Sequence, residues 1–294
     1  MKKSDFLKLN PMLLKEVNEP FNSKDYIFEI KFDGTRAMIF INNSEIIIKS
    51  RRNVILNNTY PELLEIKNIS KDTCILDGEI ILLDNGKPSF SKLQERSKLK
   101  DKSKIEFMRN NYPVTFICFD ILYKNKDLTN IPLIERKKIL NTIDDTEYFY
   151  KSRFFPNKGI DLFNLTKKEN LEGIVAKKKN SLYTYAKRTN DWLKIKNFIL
   201  ENFFIFGYID NPDNYIISLI LGETINNINY YVGKVILSKK DPLYKKLKQE
   251  KIIKKSILKN FNEVATFLKP KYDIPIYYME RTKNNMLRQP FIKK

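Results

Sequence analysis

Glu29-Ile30-Lys31-Phe32-Asp33-Gly34-Thr35-Arg36 decides how this chain is read. The apolar run 26–30 has the β-branched and aromatic content of a strand, and Lys31 stands at its end. A lysine held on a strand beside Asp33 and Arg36 is placed for covalent chemistry on a phosphate. An ordinary lysine is protonated at neutral pH and is a poor nucleophile. Partial burial, neighbouring cations or a metal ion favour the neutral amine. Gly34 lets the backbone turn and leaves room for a ligand. By itself the octapeptide reads equally well as a surface strand followed by an Asp-Gly turn, and only its context separates the two.

The 294 residues suit one large domain or two ordinary ones, and 42% apolar content is enough for real cores. Residues 1–196 carry 37 basic and 26 acidic side chains, a net of +11; residues 197–294 carry 17 and 9, a net of +8. A ligand that engages both halves is polyanionic. A general richness in Asn, Ile and Lys keeps this charge as supporting evidence only. The chain has no histidine, which excludes histidine triads and imidazole bases. Cys74 and Cys118 both lie in apolar runs and read as buried free thiols; two cysteines without histidine cannot build an ordinary structural zinc site. Lysine, carboxylates and bound metal are left to carry any chemistry. No apolar run is long enough to span a membrane and the N-terminus lacks a signal-peptide core, so a cytoplasmic chain is expected.

The organisation follows from periodicity. Residues 26–32, 37–41 and 46–49 predict short strands, the last two joined by an Asn42-Asn43-Ser44 turn. Residues 74–76 and 79–83 continue the pattern to a turn at Asp84-Asn85-Gly86. Ser91 and Gln94 have capping-box spacing and open a basic helix to about residue 99. Residues 98–104 read as a charged loop. A buried strand is predicted at 114–122, helices at 134–140 and 162–170, and strands at 173–177 and 192–196. The character changes near Asn197. Strands at 203–209, 215–221 and 230–236, with turn signals between them, fit a small β-barrel. A lysine-rich helix over 242–259 and a strand at 276–280 complete the reading.

The order of the polar motifs supplies the context for Lys31. After it come Lys49-Ser50-Arg51-Arg52, Leu76-Asp77-Gly78-Glu79, and Phe90-Ser91-Lys92-Leu93-Gln94-Glu95-Arg96. Then follow Cys118-Phe119-Asp120-Ile121-Leu122, Glu172-Gly173-Ile174-Val175-Ala176-Lys177, and Arg188 ahead of Trp192-Leu193-Lys194-Ile195-Lys196. Each motif is weak and the joint pattern is strong. In this order and with these gaps the set resembles the ATP-dependent DNA ligases, over essentially the whole chain. Asn10-Pro11-Met12-Leu13 and Leu287-Arg288-Gln289-Pro290 bring it nearest to the ligase module of bacterial end-joining enzymes.

The resemblance implies an α+β enzyme. Residues 1–196 would form an adenylyltransferase domain of antiparallel sheets with flanking helices, and residues 197–294 an OB-fold β-barrel. It implies ATP and Mg2+ (or Mn2+) as cofactors. Nicked duplex DNA and DNA end-binding repair proteins would be the partners of a monomer acting in DNA repair, on the nucleoid and away from membranes. It implies three phosphoryl transfers: lysine onto the α-phosphate of ATP, AMP onto a 5′-phosphate, and the 3′-hydroxyl displacing AMP. Lys31 matches the adenylylated lysine, and Glu29 the residue at the adenine edge. Arg36 and Arg51 match arginines around ATP or the nick phosphate, where a planar fork binds phosphate oxygens in pairs; Arg52 reads as a surface charge. Glu79 matches a ribose- or metal-contacting carboxylate, with Asp77 shaping the strand end. Phe119 matches the ring that stacks on adenine, against the ordinary reading of a core phenylalanine. Asp120 would help order the metal or its waters.

Glu172 resembles the carboxylate that holds the divalent ion, and magnesium takes few carboxylates. Lys177, Lys194 and Lys196 look like phosphate contacts, and Arg188 like a further ATP contact. Lys194 and Lys196 alternate on a strand and share a face, with Ile195 turned into a core. Two lysines on one face repel unless an anion lies between them.

This chain departs from the family at one point. The Arg-x-Asp-Lys motif that orients pyrophosphate is not found up to Phe291-Ile292-Lys293-Lys294; either the sequence is truncated or Lys293 and Lys294 partly substitute. That bears on the charging of Lys31 more than on later steps. No separate helical DNA-binding domain is expected ahead of the core, which makes the run 96–104 and the basic helix around 245–259 the candidate phosphate grips. Two rivals remain at this stage: an RNA ligase or guanylyltransferase of the same superfamily, and a non-catalytic nucleic-acid-binding protein with a ligase fold. An NAD-dependent ligase would bring a four-cysteine zinc module that is absent.

Overall fold

In the computed structural model, which describes residues 2–42 and 45–293, the chain forms two units, Met1–Asn197 and Phe198–Lys294. Asn43, Ser44 and Lys294, on which the first turn and one terminal lysine of the sequence reading fall, lie outside the described residues. The first unit runs α1 (Lys3–Lys8), β1 (Leu13–Glu16), β2 (Tyr26–Ile30), β3 (Thr35–Asn42), β4 (Glu45–Ser50), a 3-10 helix (Pro61–Ile69), β5 (Cys74–Asp84) and β6 (Lys87–Pro88). It continues with α2 (Phe90–Ser97), α3 (Lys102–Asn111), β7 (Val114–Lys124), β8 (Lys126–Asp127) and α4 (Leu133–Leu140). β9 (Phe149–Lys151), β10 (Phe154–Pro156), α5 (Gly159–Lys168), β11 (Gly173–Lys178) and β12 (Arg188–Lys196) complete it.

These strands form two sheets. One has the order β1-β12-β11-β2-β10; the other runs β4-β3-β5-β7-β8, with β6 added to β5 and β9 to β7. Period-two alternation sorts their side chains into layers. On β2, Phe28 packs with Ile174, Ala176 and Ile195 beside Leu162 of α5, while Ile27 joins Met38, Phe40, Ile75 and Trp192. Ala37, Ile39 and Ile41 on β3 and Leu76, Ile80 and Leu82 on β5 enter a third cluster with Leu63 and Ile66 of the 3-10 helix and Leu93 of α2. The chain leaves the first sheet after Ile30 and enters the second at Thr35, so the segment quoted at the outset is the crossover between sheets.

Local signals behave as expected at some places and not at others. Asn85 and Gly86 adopt φ of 51° and 77°, a two-residue type I′ hairpin between β5 and β6. Both cysteines are buried and free. The N-cap of α2 is Ser89, which accepts from Lys92 N at 3.5 Å, and not Ser91. Residues 98–104 are not all loop: Asp101 accepts from Lys104 N at 2.9 Å and starts α3. No residue of α3 is buried, so no apolar period marked it in the sequence.

The second unit contains β13 (Ile199–Asp210), β14 (Ile216–Ile225), β15 (Ile228–Ser238), α6 (Pro242–Lys248), β16 (Ile252–Ile253), β17 (Leu258–Lys259), β18 (Thr266–Leu268) and β19 (Asp273–Tyr278). The seven strands make one sheet, β16-β18-β13-β14-β15-β17, with β19 pairing the first half of β13. Leu287 N donates to Val232 O at 2.7 Å and an isolated bridge links Arg281 to Leu287. Among the described residues no continuous ladder closes the sheet into the expected barrel. The helix predicted over 242–259 stops at Lys248. The branched pair Ile252-Ile253 then forms a strand against β18, where a β-branched side chain is at home.

Candidate active site

The crossover opens a cavity of about 550 Å³ between the two sheets of the first unit. Lys31 extends the β2–β11 pairing by one residue, its N–H donating to Gly173 O at 2.9 Å. Its ammonium points into the cavity and donates to Glu172 Oε2 at 2.7 Å. Two glycines fix this approach. A Cβ on Gly34 would stand 2.2 Å from Ile80 O, so the crossover backbone lies directly against β5. Gly173 has φ of +137°, and a Cβ there would stand 2.1 Å from Ile195 O.

Eleven of the residues singled out by sequence line this cavity: Glu29, Lys31 and Arg36 from the decisive segment, Arg51 after β4, Glu79 on β5, Phe119 on β7, Glu172 and Lys177 around β11, and Arg188, Lys194 and Lys196 on β12. The acidic wall is Glu79 and Glu172 with Asp33 nearby. Burial pushes the Glu79 carboxyl up to about 8; Glu172 and Asp33 add to the shift, and Lys31 and Arg36 oppose it. Burial also raises Glu172, with Asp33 adding and Lys31 opposing. Lys31, 2.7 Å from Glu172, offsets only part of the burial of these two carboxyls, and the pair is a donor set that fits a divalent ion. Among the described residues no group of three or more acidic, histidine or cysteine side chains forms a metal cage.

Several engagements differ from those expected. Arg36 is committed to the protein: its Nε and Nη2 donate to Asp77 at 3.0 and 2.7 Å, and Asp77 also takes the Tyr183 hydroxyl at 2.6 Å. Asp77 therefore anchors Arg36 and does more than shape a strand end. Lys177, expected at a phosphate, donates to Glu29 Oε2 at 2.9 Å and lies 4.1 and 4.3 Å from the ring centroids of Phe119 and Trp192. Burial brings Lys177 down to about 8, against the pull of Glu29. Glu29 is itself 2% exposed; burial raises its carboxyl, but Lys137 and Lys177 outweigh that and hold it below the usual range. Lys194 and Lys196 do share a face opposite Ile195, yet Glu16 takes Lys194 at 2.8 Å, so a carboxylate of the chain already relieves part of their repulsion. Burial, and then Lys194, lower Lys196. Asp120 faces away from the cavity: Arg136 binds both its oxygens at 2.8 Å, with both residues fully buried.

Other functional candidates had weaker signals. Arg52, read as surface charge, lines the cavity beside Arg51. Phe90, Gln94 and Ser97 present one face of α2 to it, at the i, i+4, i+7 spacing that a helical reading of that motif contains. Trp192 backs Lys177 and Phe119. Lys137, whose ammonium is 2.5 Å from Glu29 Oε1, lies in an ordinary-looking helix beside Lys138, and nothing in the sequence separates the two. Arg188 donates to the Leu14 carbonyl, which brings the N-terminal strand against the rim.

A lysine at a strand end, two carboxyls, an aromatic ring and a basic rim thus share one cavity of the first unit. Residues 11–196 match the family model described as the ATP dependent DNA ligase domain, and the chain belongs to that family. The SPbeta prophage-derived DNA ligase-like protein LigB of Bacillus subtilis is 34% identical over 213 residues, 71% of this chain and 75% of that protein. The multifunctional non-homologous end joining protein LigD of Mycolicibacterium smegmatis is 28% identical over 295 residues; the alignment covers 95% of this chain but only 37% of that longer protein. Among solved structures, mycobacterial DNA ligase D complexed with ATP and MES superposes with a TM-score of 0.62 at 25% identity, over 97% of this chain and 94% of that one. The fold is that of these ligases, a nucleotidyltransferase domain with an OB-fold domain. Among the described residues no helix is long and apolar enough to cross a membrane.

Proposed function

We propose that the chain seals nicks in duplex DNA through AMP carried covalently on Lys31. The observation that carries the reading is the Lys31 ammonium 2.7 Å from Glu172 in a cavity that also gathers Glu29, Glu79, Phe119 and the basic rim. Lys31 would give up its proton to solvent, a loss that neighbouring cations favour. The neutral amine then attacks the α-phosphorus of ATP, an N–P bond forms, and pyrophosphate leaves. A nick 5′-phosphate oxygen next displaces the lysine, and the 3′-hydroxyl finally displaces AMP to form the phosphodiester. Phe119 and Glu29 would seat the base, while Arg51, Arg188, Lys194 and Lys196 would position phosphates, with the remaining Arg36 donor at the cavity floor. Residues 1–196 would carry the chemistry, and residues 197–294, with a net charge of +8, would grip the duplex.

Glu79 and Glu172 are the residues that would hold Mg2+ or Mn2+. Bound there, the ion would neutralise phosphate charge. Nicked duplex DNA is the proposed partner, with end-binding repair proteins as further ones, for a monomer working on nucleoid DNA in the cytoplasm. Incubation with labelled ATP and a divalent ion, followed by nicked duplex, tests this. A covalent AMP adduct and sealed strand are expected from the wild type and from no Lys31→Ala sample. Adduct formation by Lys31→Ala removes the nucleophile from this assignment.

A further inference from the structure

One buried titratable group near the cavity has no part in the chemistry above. Lys137, on α4, is 2% exposed and sits 2.5 Å from Glu29 Oε1. Glu29 Oε2 already receives Lys177 at 2.9 Å and the Ser152 hydroxyl at 3.2 Å. One carboxylate therefore faces two ammonium groups, all nearly excluded from water. Burying charge is costly, and an apolar side chain of similar volume would pack with less penalty. Lys137 is not needed to seat α4, because its neighbour Arg136 already binds Asp120, Ile131 O and Ser181 O. Lys137 serves Glu29 through a close ion pair, its charge first and a hydrogen bond second holding the carboxyl ionised.

A second observation gives that charge a purpose. Two cations lie over the Phe119 ring: the Lys177 ammonium at 4.1 Å and the Arg36 guanidinium at 5.1 Å. A flat base that stacks on Phe119 must displace one of them. Arg36 is fixed by two hydrogen bonds to Asp77. Lys177 is held by Glu29 and by ring contacts, so it is the group that yields. When it does, Glu29 loses one counter-ion and keeps Lys137.

We propose that Lys177 fills the base slot until a nucleobase displaces it, and that Lys137 is the positioning residue that holds Glu29 aimed at the base edge through that exchange. The ligand class is a base whose edge carries N–H donors for a carboxylate, a 6-aminopurine among them. The inference rests on the ligase reading above.

The test is the ATP dependence of self-adenylylation by the full chain. Lys137→Met should raise KM for ATP about tenfold, the loss expected when a carboxylate acceptor is misdirected. It should leave kcat at saturating ATP within about twofold, the pattern of lost ground-state binding. Lys137→Arg, which keeps the charge, should restore KM. Lys137→Met added to Glu29→Gln should cause no further loss. An unchanged KM, a fall in kcat alone, failure of Lys137→Arg to restore KM, or additive losses in the pair would overturn the proposal. If Lys137→Met alone does not fold, the Glu29→Gln pair decides, since it leaves no uncompensated carboxylate; failure of that pair to fold would make Lys137 a folding residue and also overturn it. A wild type that takes no AMP from ATP refutes the ligase reading instead, whatever the variants do.

Discussion

Asp120→Ala distinguishes a residue of the site from a residue of the fold. The side chain accepts from both Arg136 Nε and Nη2 at 2.8 Å and from Ile121 N at 2.9 Å, and neither Asp120 nor Arg136 is exposed. Removing the carboxylate leaves a guanidinium in the core with only the carbonyls of Ile131 and Ser181 as partners. Breaking a buried pair from one side costs about 3–5 kcal/mol. For a domain of this size each kcal/mol lowers the melting temperature by about 2–4 °C, so a drop of roughly 10 °C is expected. Trp192 is the single tryptophan, lies fully buried in the first unit, and reports its unfolding by fluorescence. The double variant Asp120→Leu/Arg136→Met, which removes both charges, should stay within about 1–2 kcal/mol of wild type. If Asp120→Ala melts like the wild type yet cannot take up AMP, the ion pair is not what Asp120 is for, and the residue belongs to the chemistry.

Other outcomes follow from single features. Phe119→Ala should weaken ATP binding about tenfold, a stacking loss of about 1–3 kcal/mol, with the fold kept; calorimetric titration that finds an unchanged Kd would return Phe119 to the core. Gly173→Ala should fail to fold, because its Cβ meets the Ile195 carbonyl at 2.1 Å, whereas Gly86→Ala, with open space at φ +77°, should cost about 1–2 kcal/mol; comparable melting of the two would contradict this. Lys49 is buried beside the Leu7 and Leu9 carbonyls and burial brings it to about 8 from an ordinary 10.5. The unfolded chain therefore holds the extra proton between these values, and this site's contribution to stability rises as pH increases from 8 to 10.5. Denaturant melts of wild type and Lys49→Met should show the wild type gaining relative to the variant across that window, and parallel curves would refute it.

Much of the site was legible because its chemistry is written in residue types that a core does not use. Lys31, Glu172, Lys194 and Lys196 punctuate apolar strands, and a charged side chain inside such a run needs a reason. The period of two then places Lys194 and Lys196 on one face without any knowledge of the sheet. What the sequence could not show was partnership across distance. Asp77 and Asp120 look alike at the level of motif. One holds Arg36 at the cavity floor and the other is sealed against Arg136, and only the fold, which brings Arg136 within 2.8 Å of Asp120 across 16 residues of chain, reveals the second. Lys137 and Lys138 are neighbours of one type; the turn of α4 sends one beneath Glu29 and the other into solvent beside Glu135. The helix α3 was missed because it buries nothing, and the shortness of α6 because lysine-rich composition outlasted the helix itself.

The crossover at Lys31-Phe32-Asp33-Gly34 has a mechanical consequence. Lys31 stands where the chain passes from one sheet to the other: its backbone extends the ladder of the first sheet to Gly173, while Gly34 three residues later is pressed against Ile80 of the second. The position of the Lys31 ammonium is therefore set by the spacing of two sheets, as the gap of a vice is set by its jaws.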